Sequence, residues 1–104
     1  MHRLIQDHRD EITAICRHHG VRRLEVFGSA ARAHDFDPER SDIDFLVEID
    51  PERSAAFSMG DYLDLRDCLA AALGKPVDLV LVDSVRNPFV RADIERSREV
   101  VHAA

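Results

Sequence analysis

Over the first 19 positions, Leu4, Ile5, Ile12, Ile15 and Cys16 recur at helical spacing among charged neighbours, and Gly20 stands where a helix C-terminal glycine belongs. This predicts an amphipathic helix over 1–19. Leu24 and Val26 then alternate with charged residues until Phe27, and Gly28 halts the run, which predicts a short strand over 22–27. Strong helix formers follow at 29–34, with Ser29 placed as an N-cap, so the strand turns straight into a short helix. The polar stretch 35–41, which holds Pro38, reads as a loop.

Ile43, Phe45, Val47 and Ile49 share one face at period two, which predicts a strand over 42–49 with an apolar inner side. Pro51 breaks that pattern. From about residue 55 to 73 the stripe Tyr62, Leu65, Leu69 and Leu73 marks a long helix closed by Gly74 and Pro76. Residues 77–82 are leucine and valine apart from Asp78, the composition of a strand buried on both faces. A turn at Asp83 or Ser84 leads to a last helix over 88–101, with Val90, Ile94, Ser97 and Val101 inward. The order is helix, strand, short helix, strand, helix, strand, helix. It calls for a small sheet covered by helices, and connection lengths alone leave open which strands run parallel.

The length of 104 residues fits one domain, 1–104. Hydrophobic residues at 45% and charged residues at 33% describe an ordinary folded chain. Twenty acidic against fourteen basic residues give a net charge of −6, the wrong sign for coating a nucleic-acid backbone. Cys16 and Cys68 match no zinc spacing and are too few for a disulfide scaffold, so a reducing cytoplasm is the expected setting. No apolar run approaches the roughly 18 residues that span a bilayer, and the charged N-terminus is unlike a signal peptide. His18 and His19 read as surface residues at a helix end. Both cysteines read as small apolar side chains within helices.

The chemistry gathers around carboxylates. Asp42 and Asp44 lie two apart on a strand and so point to one side, with α-carbons about 6.6 Å apart. Such a pair on a wet strand face is commonplace by itself. Asp78 changes the picture, because a charge within an apolar strand must meet water, a cation or a partner, or change its protonation. Three like charges at such spacing repel by about 3 kcal/mol per pair at an effective dielectric of about 20, and a cation would cancel the repulsion. An all-oxygen donor set favours Mg²⁺ or Mn²⁺, completed by phosphate and water. Gly28 and Ser29, between a strand and a helix, suit close approach of a phosphate, although plain chain reversal uses the same residues. Arg32, one turn on, could reach the same anion or simply face solvent.

In order, the chain offers Gly28-Ser29 after a strand, Ala31-Arg32, a loop, Ser41-Asp42-Ile43-Asp44 opening a strand, and Asp78 on a later strand. This compound pattern resembles the minimal nucleotidyltransferases of the DNA polymerase beta-like superfamily, and the likeness covers nearly the whole chain. Two features differ from the family pattern. Twelve residues separate Ser29 from Asp42, where about ten is usual, and Ala33 stands where a glycine often follows the arginine.

The resemblance implies an α+β layered domain with a small mixed sheet of three or more strands flanked by helices. It implies that Asp42, Asp44 and Asp78 are catalytic and hold two Mg²⁺ ions, and that Gly28, Ser29, Arg32 and Ser41 bind the nucleotide, ATP. The implied partner is a HEPN-domain ribonuclease toxin, neutralised by transfer of AMP to a tyrosine hydroxyl. The alternative is an antitoxin that neutralises the same toxin by binding alone.

Overall fold

The computed structural model describes residues 2–28, 31 and 42–104. The predicted short helix and the loop after it fall outside this range, except Ala31, which is helical and buried.

Two helices replace the single one expected at the N-terminus: α1 (Arg3–Asp7) and α2 (Arg9–His19). The break falls at His8, whose φ of −110° and ψ of 16° leave the helical region. Its imidazole Nδ1 lies 2.8 Å from the Leu4 carbonyl. Ile5 of α1 and Ile12 and Cys16 of α2 remain fully buried, so the predicted apolar stripe survives the break. Gly20 ends α2 in the left-handed conformation, at φ 72°.

Strand β1 (Val21–Phe27) follows, then β2 (Ile43–Ile49), the single turn α3 (Pro51–Ser54), the long helix α4 (Met59–Leu73) and β3 (Val77–Leu81). The expected start of the long helix near residue 55 is corrected to Met59. Ser58 caps it by accepting from the Asp61 N–H, while the Asp61 carboxylate accepts from the Ser58 N–H, a closed box that fixes the first turn. After a 3₁₀ turn (Val82–Ser84) comes α5 (Pro88–Ser97), capped by the Asn87 side chain, and then β4 (Glu99–Ala103).

The strand β4 corrects the reading of 88–101 as one helix. Arg98 turns to extended backbone at φ −62° and ψ 137°, and β4 pairs antiparallel with β1. Ile94 and Val101, expected on one inward face, are buried in separate clusters. Val90, expected inward, is exposed. The sheet order is β3-β2-β1-β4, with β1 antiparallel to both its neighbours and β2 parallel to β3. A right-handed crossover through α4 is what a parallel β2–β3 pair requires of so short a chain.

The sheet has two unlike faces. Leu24, Val26, Ile43, Phe45, Val47, Val77 and Leu79 point to one side and join Ile5, Ile12 and Cys16 with Leu65, Leu69 and Leu73 of α4. Each fully buried leucine of that stripe contributes roughly 1.5–3 kcal/mol of transfer free energy. Among the described residues, the other side carries the smaller cluster Phe27, Leu46 and Ile94, the last from α5. That side is left for charged groups. Strand β3 is accordingly buried on one face, not two, and Asp78 is exposed.

Candidate active site

Strand register settles where the carboxylates stand. Asp44 of β2 is the direct partner of Asp78 of β3 in the parallel ladder, and Phe27 of β1 is the partner of Asp44. Residues paired across a parallel ladder share a face and lie about 4.8 Å apart, so Asp44 and Asp78 stand side by side on the open face. Asp42 precedes β2 and is exposed, and Asp44 is half-buried. The oxygens of the three carboxylates do not all close to within 4.8 Å of one another. Among the described residues only one group of ligating side chains does, and it lies elsewhere.

Gly28 belongs to the same corner. It sits just beyond β1 at φ 73°, and a Cβ there would meet the Asp44 Oδ2 at 2.8 Å. The missing side chain therefore makes the space that the Asp44 carboxylate fills. The Gly28 N–H donates to the Ser97 Oγ at 2.9 Å. Ser97 in turn donates to the Asp93 carbonyl at 2.7 Å. Ser29, Arg32 and Ser41, the other expected nucleotide contacts, lie outside the described residues.

Two features of this face were not singled out from sequence. Helix α5 brings Asp93, whose Oδ2 lies 3.8 Å from the point where a Gly28 Cβ would stand, so a further carboxylate borders Asp44. Further along β1, Glu25 is buried at 3% exposure, with Arg23 Nε 2.7 Å from its Oε1 and Arg98 Nε 3.5 Å from its Oε2. The buried carboxylate thus lies between two guanidinium groups of opposite charge. The open face is thus acidic around Asp44 and Asp78 and mixed in charge beside Glu25.

Carboxylate oxygens from adjacent strands, partly wet and free of sulfur or imidazole, match what Mg²⁺ takes as ligands. Asp44 and Asp78 fit such an ion directly.

An antiparallel β-hairpin extended by a parallel strand, with carboxylates in register at the strand starts, defines a nucleotidyltransferase-type fold. Residues 9–101 match the family described as "Nucleotidyltransferase domain". The chain belongs to that family and is an enzyme of the nucleotidyltransferase class. A Methanocaldococcus jannaschii protein named for protein adenylyltransferase activity is 41% identical over 75 residues, covering 72% of this chain and 71% of the relative. A solved minimal nucleotidyltransferase is 31% identical with a TM-score of 0.70, covering 90% of this chain and 89% of the other. A chain from the complex of a tri-AMPylated Shewanella oneidensis HEPN toxin with its MNT antitoxin shares the fold, with a TM-score of 0.66. It is 20% identical and covers 96% of this chain and 73% of its own.

Proposed function

We propose that this chain is an Mg²⁺-dependent antitoxin of the cytoplasm that transfers AMP from ATP to a tyrosine hydroxyl of a HEPN-domain ribonuclease toxin. The observation that carries the reading is the in-register pair Asp44 and Asp78. The named activity of the M. jannaschii relative and the AMPylated toxin of the S. oneidensis complex support the donor and the acceptor.

In this reading Asp42, Asp44 and Asp78 hold magnesium, which supplies charge neutralisation for the triphosphate and acidifies the attacking hydroxyl. Asp78 lies on the edge strand β3, where a partner protein can approach, and it accepts or orients the hydroxyl proton. The acceptor oxygen forms a bond to the α-phosphorus, the bond to pyrophosphate breaks, and pyrophosphate leaves with the electron pair. Gly28 keeps the Asp44 carboxylate at the strand end, and Ser29, Arg32 and Ser41 contact the nucleotide. In this reading the toxin presents its own hydroxyl to the open face, and the acidic surface favours association with a basic ribonuclease.

Intact mass spectrometry tests the proposal. Incubated with ATP, Mg²⁺ and the chain, the HEPN partner should gain one or more AMP units. Asp42→Asn combined with Asp44→Asn should abolish the gain. A double variant that still protects cells, with no mass gain from the wild type, would instead establish neutralisation by binding alone.

A further inference from the structure

On the opposite side of the molecule from Asp44 and Asp78, α2 packs against α4, and three side chains of different chemistry meet there. His19, Asp64 and Cys68 each offer a ligand atom, and these atoms all lie within 4.8 Å of one another. Asp64 and Cys68 are four apart on α4 and so share a face, while His19 closes the group from the last turn of α2. The His19 side chain is only 7% exposed. Its Nδ1 lies 2.8 Å from the Ile15 carbonyl, and its Nε2 lies 2.7 Å from the Asp64 Oδ2. With Nδ1–H donating to the Ile15 carbonyl, the ring is oriented so that Nε2 faces Asp64, and a metal bound there would take the place of the Nε2–H···Oδ2 hydrogen bond.

We infer that His19, Asp64 and Cys68 form a second metal site, selective for Zn²⁺ and separate from the carboxylates of the active face. The donor set decides the metal. One imidazole nitrogen, one carboxylate oxygen and one thiolate suit tetrahedral Zn²⁺ with a fourth position for water, and a sulfur–nitrogen pair is a poor host for Mg²⁺. Two anionic ligands and a neutral imidazole balance a divalent charge. Tetrahedral zinc with ordinary bond lengths sets its ligand atoms about 3.3–3.8 Å apart, so the His19–Asp64 contact opens from 2.7 Å. Water reaches the site through an adjoining cavity of about 510 Å³ that His18, His19, Asp61 and Asp64 border. Arg53 also lines that cavity and donates to the His18 carbonyl at 3.4 Å. Such an ion would pin the end of α2 to the middle of α4.

Cobalt titration of the whole chain, with Mg²⁺ in excess to occupy the carboxylates, tests this inference. One equivalent of Co²⁺ should produce a thiolate-to-cobalt charge-transfer band and visible ligand-field bands, both removed by Zn²⁺. Cys68→Ser should lose the charge-transfer band, and His19→Gln should weaken binding by about tenfold or more. A second measurement needs no variant: in wild-type protein, Zn²⁺ should slow iodoacetamide labelling of Cys68 by at least about tenfold while leaving Cys16 unchanged. Absence of the band, its persistence in Cys68→Ser, or unaltered Cys68 labelling would each overturn the site. None of these readouts depends on nucleotidyl transfer.

Discussion

Gly28 couples backbone conformation to chemistry at a single atom. Alanine at φ 73° costs about 1–2 kcal/mol in the backbone alone. Its Cβ would also stand 2.8 Å from the Asp44 Oδ2, so the carboxylate must move. Gly28→Ala should therefore lower the urea midpoint by that amount and slow transfer by about a hundredfold, as displacement of a reacting group by an ångström does. The cysteines give a second test at this scale. Cys16 is fully buried, and burial pushes its thiol up to about 12. Its folded pKa exceeds its unfolded one, so its contribution to stability is intact below pH about 9 and is lost as pH rises from there toward 12. Urea midpoints measured from neutral to alkaline pH should fall in that window, and Cys16→Ala should flatten this part of the fall. The place of Asp44 on the open face was legible because period two sets it apart from the buried Ile43 and Phe45. Ser97, by contrast, meets Gly28 across 69 residues, and only the docking of α5 brings it there, so no local pattern announces it.

Among the elements, α4 shows how a helix boundary is set by polar atoms and not by the apolar stripe. Tyr62, Leu65, Leu69 and Leu73 define its inner face correctly, yet the stripe says nothing about where the first turn begins. Ser58 and Asp61 decide that. Ser58→Ala should cost about 1 kcal/mol of stability, read from a denaturant midpoint. Hydrogen bonding from the Ser58 backbone, and then from its side chain, holds the Asp61 carboxyl below its ordinary pKa. A lowered folded pKa gives stability that is present above the unfolded value and is lost as pH falls through the folded one. Asp61→Asn should accordingly reduce the acid sensitivity of the chain. The strand β4 escaped the sequence because Val101 lies seven residues after Ile94, a spacing that a helix and a helix-plus-strand satisfy equally. What separates the two is tertiary: Ile94 of α5 packs on Phe27 and Leu46 at the open face, while Val101 joins the main core through the sheet. Arg9 of α2 then secures β4 by donating to the Val100 and Val101 carbonyls, at 3.1 and 3.2 Å.

For the whole molecule, the two faces of one sheet divide stability from chemistry, and substitutions on each should move the two properties in different directions. Leu69 is fully buried in the main core, and Leu69→Ala should cost about 2–5 kcal/mol while leaving the chemistry of the folded fraction intact. Asp78 sits on the open face beside Asp44, exposed and in register with a like charge. Two such charges about 5 Å apart in a mostly aqueous setting repel by about 1 kcal/mol, a cost the fold carries for its site. Asp78→Asn should remove that repulsion, raising the thermal midpoint in a chelating buffer while abolishing transfer of AMP. Because a bound cation offsets the same repulsion, added Mg²⁺ should stabilise the wild type and close the gap between the two proteins. Thermal melts of both, with EDTA and with Mg²⁺, read the charge pair directly. A variant that melts below the wild type in EDTA would mean that Asp78 is held by a favourable partner instead of being poised to receive an ion.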